Sequence, residues 1–320
     1  MLRMAAAAPV LVGMPALASS LTAPVARATS LAGSIVFLDP GHNGANDASM
    51  TKQVPTGRGG TKDCQTSGTS TNAGFPEHTF TWSVVLLIRQ ELINAGVQVG
   101  LSRDNDNAVA ACVDQRAAMA NALHPNAVVS IHADGGPAGG HGFHVNYSAP
   151  PLNQVQAGPS VKFAQIMRDQ LVAGGLTPAT YIGSNGLYGR SDLTGLNLAQ
   201  YPSILVECGN MKNPQDAALL SSPVEDRAVL DRRVRVRVVL EVGAVAGVAV
   251  GAGRHEELAS AGTVPLRFVP GRGVVDAVGD ELDANRDQQE RSHEQGDAAP
   301  RRGPLRGLGF VRRVGHAGVS

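Results

Sequence analysis

The chain has 320 residues, its formal net charge is zero, and 43% of its residues are hydrophobic. A chain of this length and composition can bury the core of one large domain or two small ones. Because its net charge is zero, the chain as a whole is not electrostatically attracted to nucleic acid or to an anionic membrane. We therefore predict no nucleic-acid partner.

The first 28 residues have the pattern of a secretory signal peptide. Arg3 precedes an apolar stretch that Pro9 and Pro15 interrupt, and small residues follow up to Ala28. A membrane anchor is the alternative, but the uninterrupted apolar run is shorter than the roughly 20 residues that span a bilayer. We therefore expect cleavage near Ala28, or at Ala18, and a secreted protein without stable membrane insertion.

Between residues 34 and 220, short apolar runs alternate with helical patterns, which indicates helices packed on a sheet. Strands are predicted at 35–39, 97–101, 127–131, 143–147 and 204–206, and helices after Pro76, at about 108–123 and at 161–172. We predict a single α/β domain over residues 29–230, with a mostly parallel or mixed central sheet covered by helices.

The three cysteines are too far apart in sequence to form a zinc cluster. In an exported protein, one disulfide and one thiol are the simplest arrangement, and three thiols are the alternative. Cys64 lies in a polar loop and Cys112 at the start of a predicted helix, so we expect a bridge between them. Cys208 directly follows a buried strand and is expected to remain a buried thiol.

Four polar residues carry the candidate chemistry: His42, Glu77, His132 and Glu207. His42 follows the first predicted strand through a Pro-Gly turn, and His132 and Glu207 directly follow two other predicted strands. Because the carboxyl ends of strands in an open α/β sheet face one crevice, we expect these side chains to converge there. Two imidazoles and a carboxylate form a ligand set found in catalytic zinc sites, which leave a fourth position for water.

Each of these residues also has a simpler explanation. The simpler role for His42 is a residue of a turn, and that for His132 is a histidine buried in the core. The simpler role for Glu77 is a carboxylate in the first turn of a helix, where the helix dipole favours it. A purely structural role is hardest to assign to Glu207, because burying a carboxylate without a partner at the end of a strand costs free energy. Together, the four residues favour one metal site at the carboxyl ends of the strands.

Seven short motifs occur in a fixed order around these residues: Leu38-Asp39-Pro40-Gly41-His42, Phe75-Pro76-Glu77, Ser102-Arg103-Asp104, Gln115-Arg116, Ser130-Ile131-His132-Ala133-Asp134, Leu205-Val206-Glu207 and Asn213-Pro214-Gln215-Asp216. This ordered set resembles the motifs of the zinc-dependent N-acetylmuramoyl-L-alanine amidases of the amidase_3 type. The resemblance spans about residues 34–220, and the short secreted amidases of mycobacteria and their relatives look most similar.

The resemblance implies hydrolysis of the amide between N-acetylmuramic acid and L-alanine in peptidoglycan. It implies one Zn²⁺ held by His42, Glu77 and His132, with Glu207 transferring protons. We expect a monomer located in the periplasm or cell wall, with peptidoglycan or a muropeptide as its partner.

Other parts of the chain are candidates for the surroundings of this site. Residues 43–76 form a connection that is long for a compact domain and is expected to be a wall of the substrate groove. The glycine-rich segment 178–202 is either a second wall or a passive crossover, and its Arg190 either binds the stem peptide or is a surface charge. Asp134 or Asn210 is expected to orient the ligands.

Two other functions compete with the amidase. One is a non-catalytic peptidoglycan-binding or regulatory protein with the same fold, against which the intact set of four site residues argues. The other is a zinc peptidase that cuts within the stem peptide. The same metal and carboxylate would serve that reaction, so only the family resemblance favours the muramoyl bond.

The last 90 residues, 231–320, differ in character from the rest of the chain. They contain 14 of its 23 arginines and no periodic apolar face. We predict that this tail is largely disordered. A change of reading frame at the 3′ end of a GC-rich gene is the alternative explanation.

Overall fold

The computed structural model describes residues 31–222. Its strands are β1 (Ile35–Pro40), β2 (Gln53–Pro55), β3 (Thr61–Asp63), β4 (Gln98–Leu101), β5 (Ala127–Asp134), β6 (His144–Ser148), β7 (Leu187–Arg190) and β8 (Ser203–Asn210). Its helices are α1 (Glu77–Asn94), α2 (Val113–Ala122), α3 (Val161–Ala173), α4 (Thr194–Asn197) and α5 (Pro214–Leu220), with a 3₁₀ turn at Ala48–Thr51 and a π-helical turn at Gln156–Ser160.

The central sheet has six strands in the order β4-β1-β5-β8-β6-β7. Strands β4, β1, β5 and β8 are parallel to one another, β6 is antiparallel to β8, and β7 is parallel to β6. The predicted α/β fold with a mostly parallel, mixed sheet is therefore confirmed. Strands β2 and β3 form a separate antiparallel hairpin inside the long connection between β1 and α1.

Side chains alternate between the two faces of the sheet strands. Val36, Val129 and Ile204 pack with α1 and α3 in one fully buried core. Residues out of phase with this core, such as Ser130 and Glu207, point to the opposite face and line a cleft beside α2 and α4. The candidate site residues on the strands therefore lie on the face that the main core does not use.

The packing of helix α1 positions Glu77. Phe80, Val84 and Ile88 recur at helical spacing and are buried in the core, each contributing roughly 1.5–3 kcal/mol. Pro76 precedes the helix in an extended conformation, and Glu77 is buried in the first helical turn. The apolar body of the helix thus fixes the carboxylate at its amino end.

Helix α2 begins later than predicted, at Val113 and not near residue 108. Cys112 is the N-cap, and its N–H donates to the Gln115 side chain at 3.0 Å. The preceding residue is not helical, and its carbonyl oxygen accepts a hydrogen bond from Arg116 Nε at 3.0 Å. Local capping therefore outweighs the alanine-rich sequence that favoured an earlier start.

Strands β5 and β8 extend further than predicted, so His132 and Glu207 lie within strands and not after them. The parallel pairing continues to Asp134 and Asn210, after an irregularity in register between His132 and Asp134. His132 and Glu207 are direct neighbours across this pair of strands.

The predicted disulfide is present between Cys64 and Cys112, and Cys208 is buried and outside the bridge. The bridge joins the end of the β2–β3 hairpin to the N-cap of α2. The predicted signal peptide and the predicted tail lie outside the described residues. Within residues 31–222, every helix is too short or too polar to cross a membrane.

Replacing Cys64 and Cys112 together by serine should lower the free energy of unfolding by about 2–4 kcal/mol, because the bridge restricts the unfolded chain. Denaturant unfolding measures this change, and Cys208→Ser is the matched control that removes a thiol without touching the bridge. Thiol counting in denaturant without reductant should find only the Cys208 thiol in the parent protein. Titration of all three cysteines would contradict the bridge.

Candidate metal centre

The structure brings His42, Glu77 and His132 together, as the sequence predicts. Glu77 Oε2 lies 2.9 Å from His42 Nε2, and Glu77 Oε1 lies 2.9 Å from His132 Nδ1. The potential ligand atoms of the three residues all lie within 4.8 Å of one another, the one such group found in the described part of the chain. A cluster of two imidazoles and a carboxylate at this spacing has the donor set of a three-ligand zinc site.

The hydrogen bonds of His42 show that the donor set suits a cation. Its Nδ1 lies 2.9 Å from the Thr66 carbonyl oxygen, while its Nε2 faces the Glu77 carboxylate. Both neighbours are acceptors, whereas a neutral imidazole carries only one N–H. Burial lowers the pKa of His42, but the Glu77 carboxylate outweighs burial and raises it. A metal ion on Nε2, with Nδ1–H donated to Thr66, would also satisfy both nitrogens.

The backbone of His42 has a φ of 64°, in the left-handed region. This conformation costs a residue other than glycine roughly 1–2 kcal/mol. It turns the chain sharply after β1, as the Pro-Gly sequence predicts, and it is stabilised by Arg116, whose Nη2 donates to the His42 carbonyl oxygen at 2.7 Å. Such strain persists where the surroundings determine the conformation, as they do here.

Two buried arginines hold this turn. Arg116 also donates to the Pro40 carbonyl oxygen at 2.9 Å, and Arg103 donates to the carbonyl oxygens of Pro40 and His78 at 3.1 and 2.9 Å. The residues are 4% and 5% exposed, so their charges must be met inside the protein. Both arginines lie in the motifs matched above, but no role for either is predicted from the sequence.

Asp39 neutralises Arg116 and joins neighbouring strands. Its carboxylate lies 2.9 Å from Arg116 Nη1 and accepts hydrogen bonds from the hydroxyls of Ser102 and Ser130 at 2.6 and 2.7 Å. Burial raises the pKa of Asp39, but the guanidinium and the two hydroxyls outweigh burial and lower it to about 2.

The long loop between β1 and α1 lies against the cluster. The Thr69 N–H donates to Glu77 Oε2 at 2.9 Å, and the Ala133 N–H donates to Glu77 Oε1 at 3.1 Å. A Cβ on Gly68 would lie 2.8 Å from the His42 ring and 3.0 Å from Glu77. Gly68 is therefore required for the close approach of this loop, a role that a glycine-rich sequence does not reveal.

Glu207 lies beside the cluster, directly opposite His132 on the adjacent strand. Its Oε2 is buried and lacks a hydrogen-bond partner among residues 31–222. Burial and the nearby charges of Glu77 and Asp134 raise the pKa of Glu207 well above its ordinary value. The carboxyl thus lies beside the candidate metal ligands but outside their cluster.

A cleft of about 410 Å³ opens over the cluster and includes all four predicted site residues. Residues 65–69 of the long loop and residues 193–196 of the glycine-rich segment contribute to its walls. Arg190 also lines the cleft, and its guanidinium is held by Asp192 at 2.6 and 2.7 Å.

The predicted orienting role of Asp134 or Asn210 is wrong. Asp134 accepts hydrogen bonds from the Tyr181 hydroxyl at 2.9 Å and from the N–H of the next residue. Asn210 donates to the carbonyl oxygens of Pro137 and Gly140, both at 2.8 Å. Both residues hold the segment after β5, whereas backbone groups that side-chain patterns cannot reveal hold the candidate ligands His42 and Glu77.

The sequence profile of the family described as N-acetylmuramoyl-L-alanine amidase matches residues 36–234. The chain belongs to this family. A relative, the N-acetylmuramoyl-L-alanine amidase Rv3717 of Mycobacterium tuberculosis, is 71% identical over 197 residues, which cover 62% of this chain and 82% of the relative. The resemblance inferred from the ordered motifs is therefore confirmed.

Two crystal structures of N-acetylmuramyl-L-alanine amidases show the same fold. Ami1 from Mycobacterium smegmatis is 62% identical with a TM-score of 0.65, covering 68% of this chain and 99% of that chain. The apo form of Ami1 from Mycobacterium abscessus is 63% identical with a TM-score of 0.64, covering 66% of this chain and 99% of that chain. The α/β domain of this amidase is thus shared with experimentally determined relatives.

In this amidase, Gly41→Ala should disturb the cluster, because the new Cβ would overlap the His132 imidazole. We expect the affinity of the candidate centre for added Zn²⁺ to fall by at least about tenfold, the low end for changes around metal ligands. Titration calorimetry with zinc measures the effect. Gly139→Ala is the matched control, since its Cβ would meet no atom within 4 Å. Equal zinc affinities of the two variants would show that the Gly41 contact is unimportant.

The Asp39 network should make stability depend on acid pH. The folded pKa of about 2 lies below the ordinary 3.8, so Asp39 stabilises the fold fully above about pH 4 and loses this contribution as the pH falls toward 2. The free-energy difference between the parent and Asp39→Asn, measured by urea unfolding, should shrink by about 2 kcal/mol over this interval. A difference that stays constant with pH would contradict the assignment.

Proposed function

We propose that this chain is a zinc-dependent enzyme that hydrolyses the amide between N-acetylmuramic acid and L-alanine in peptidoglycan. Family membership supports the amidase reaction. The observation that carries the assignment is the cluster of His42, Glu77 and His132 beside Glu207, whose Oε2 lacks a partner among the described residues.

We assign one Zn²⁺ to His42, Glu77 and His132. Zinc bound there would supply a Lewis acid that activates water and polarises the scissile carbonyl. The protein contributes the geometry: the Thr66 carbonyl orients the first imidazole, and the Thr69 N–H helps to hold the carboxylate. Ligands fixed by backbone groups need little rearrangement when the ion binds.

We assign the proton transfers to Glu207. Its carboxyl would accept a proton from the attacking water, and its raised pKa makes it a stronger base than an ordinary glutamate. It would then give a proton to the nitrogen of the scissile amide. The peptide leaves with a free L-alanine amine, and the lactyl group of the sugar keeps the new carboxylate.

We further propose that the protein acts as a monomer outside the cytoplasm, in the periplasm or cell wall, after removal of residues 1–28. The signal-like amino-terminal sequence supports export. The bridge between Cys64 and Cys112 is consistent with it, because disulfides persist in oxidising compartments.

Glu207→Gln should lower the turnover of peptidoglycan by at least about 10²-fold while zinc stays bound, because Glu207 transfers protons and does not coordinate. Fragment release and metal content are measured on the same preparation. Asp169→Asn is the control for loss of a carboxylate, since this side chain is 65% exposed. Activity of the glutamine variant within a few-fold of the parent would remove Glu207 from the mechanism.

His132→Ala should lose zinc and activity together, because two protein ligands do not hold the ion as three do. A chelator should abolish the activity of the parent, and added zinc should restore it. Full activity of a preparation shown to contain no metal would overturn the zinc assignment.

Mass spectrometry of the released fragments tests the bond that is cut. Stem peptides that begin with a free L-alanine amine, together with intact glycan bearing the lactyl carboxylate, would support the amidase. Fragments cut within the stem peptide would instead show that the protein is a zinc peptidase.

A further inference from the structure

Glu207 has a histidine on each side of it in the sheet. His132 is its neighbour on β5, and His144 is its direct partner on the antiparallel strand β6. Directly opposite residues of antiparallel strands project to the same face, with Cβ atoms about 4.5–5.5 Å apart. His144 therefore lies beside Glu207 on the same face of the sheet, on the side away from His132.

His144 is buried without a visible structural purpose. It is 1% exposed, and its Nδ1 lacks a hydrogen-bond partner within residues 31–222. The rings of Tyr181 and Tyr188 meet it edge-on, with centroids 6.2 and 6.1 Å away. An unsatisfied buried polar atom costs roughly 1–3 kcal/mol, so an apolar residue would pack here more favourably.

The sequence predicts a strand at 143–147, and β6 begins at His144. Nothing in the sequence indicates that this histidine is paired with Glu207, because strand register decides this.

Two donors near His144 are already engaged elsewhere, whereas Asn146 Oδ1 also lacks a hydrogen-bond partner within residues 31–222. The Tyr181 hydroxyl donates to Asp134 at 2.9 Å, and the Asn146 amide, two residues along β6, donates to the Leu205 carbonyl oxygen at 3.4 Å. Glu207 Oε2, on the opposite residue, is also buried and without a partner in the described structure. Two complementary groups thus lie on facing residues, each lacking a hydrogen bond.

We propose that His144 is a positioning residue for Glu207. Its Nδ1 forms a hydrogen bond with one carboxyl oxygen of Glu207, directly after a side-chain rotation or through one water molecule, and the other oxygen is left to face the metal ligands. This inference rests on the proposed catalytic role of Glu207.

The environment of His144 suits this role. Burial lowers its pKa to about 4, although Asp134 acts in the opposite direction, so the imidazole stays neutral under ordinary conditions. A neutral imidazole carries one N–H and one lone pair. It can therefore donate to a carboxylate or accept from a carboxylic acid, and it can hold Glu207 in both of the forms that proton transfer requires.

His144→Phe tests the proposal, because phenylalanine keeps a ring of similar size and removes both nitrogens. A misplaced catalytic group should lower kcat by at least about tenfold, while KM stays within about twofold, since small errors in position are costly for chemistry. Zinc content should equal that of the parent. A kcat within about twofold of the parent would overturn the inference.

Conservative variants distinguish positioning from packing. His144→Asn places an amide near the position of Nδ1 and should recover much of the lost kcat, whereas His144→Gln places its amide further out and should not. Equal activities of the two variants would contradict the inference, and this comparison holds even if the phenylalanine variant does not fold.

Asn146→Leu is the matched control, because Asn146 lies on the same face of β6, is fully buried and opposes Leu205. It should change the melting temperature but not the kcat of the folded protein. An equal loss of kcat in this control, or a loss that parallels zinc content in His144→Phe, would assign His144 a purely structural role.

Glu207→Gln is measured in parallel. If it retains activity, the proposed function of Glu207 fails, whatever the His144 variants do. If it is inactive while His144→Phe has the kcat of the parent, only the inference about His144 fails.

Discussion

The candidate metal centre depends on two positive charges buried beneath the turn after β1. Arg103 and Arg116 are removed from water, and such charges are tolerated only where acceptors meet them. Backbone carbonyl oxygens of this turn, together with the carboxylates of Asp39 and Asp106, supply those acceptors. Relaxing the turn would remove several acceptors from the two guanidinium groups, and this helps to hold His42 in its left-handed conformation.

Each residue of the candidate metal centre is positioned by a different part of the chain. His42 depends on the turn after β1, Glu77 on the amino end of α1, and His132 on the central strand β5. The loop containing Thr69 adds a backbone hydrogen bond to the Glu77 carboxylate. A metal ion that links such distant segments would add its binding free energy to the stability of the fold. Folding and metal binding are therefore expected to be coupled in this amidase.

The sequence predicts the features that depend on side-chain type and spacing. Alternating apolar runs indicate the α/β fold, ordered motifs identify the cluster, and the loop position of Cys64 indicates its bridge to Cys112. Features that depend on backbone geometry could not be predicted. The start of α2 depends on a local cap, and the position of His144 opposite Glu207 depends on strand register. No sequence pattern identifies the backbone groups that contact the candidate ligands.

The disulfide divides the long connection between β1 and α1 into two parts with different tolerance to changes in length. Residues 45–63 lie before the covalent anchor at Cys64, so insertions or deletions there can be absorbed by the hairpin. Residues 65–76 span from that anchor to Glu77 and pass against His42, with Gly68 in contact. One residue added to the second part would move a ligand or its backbone partner. Natural variation in loop length should therefore be concentrated in the first part.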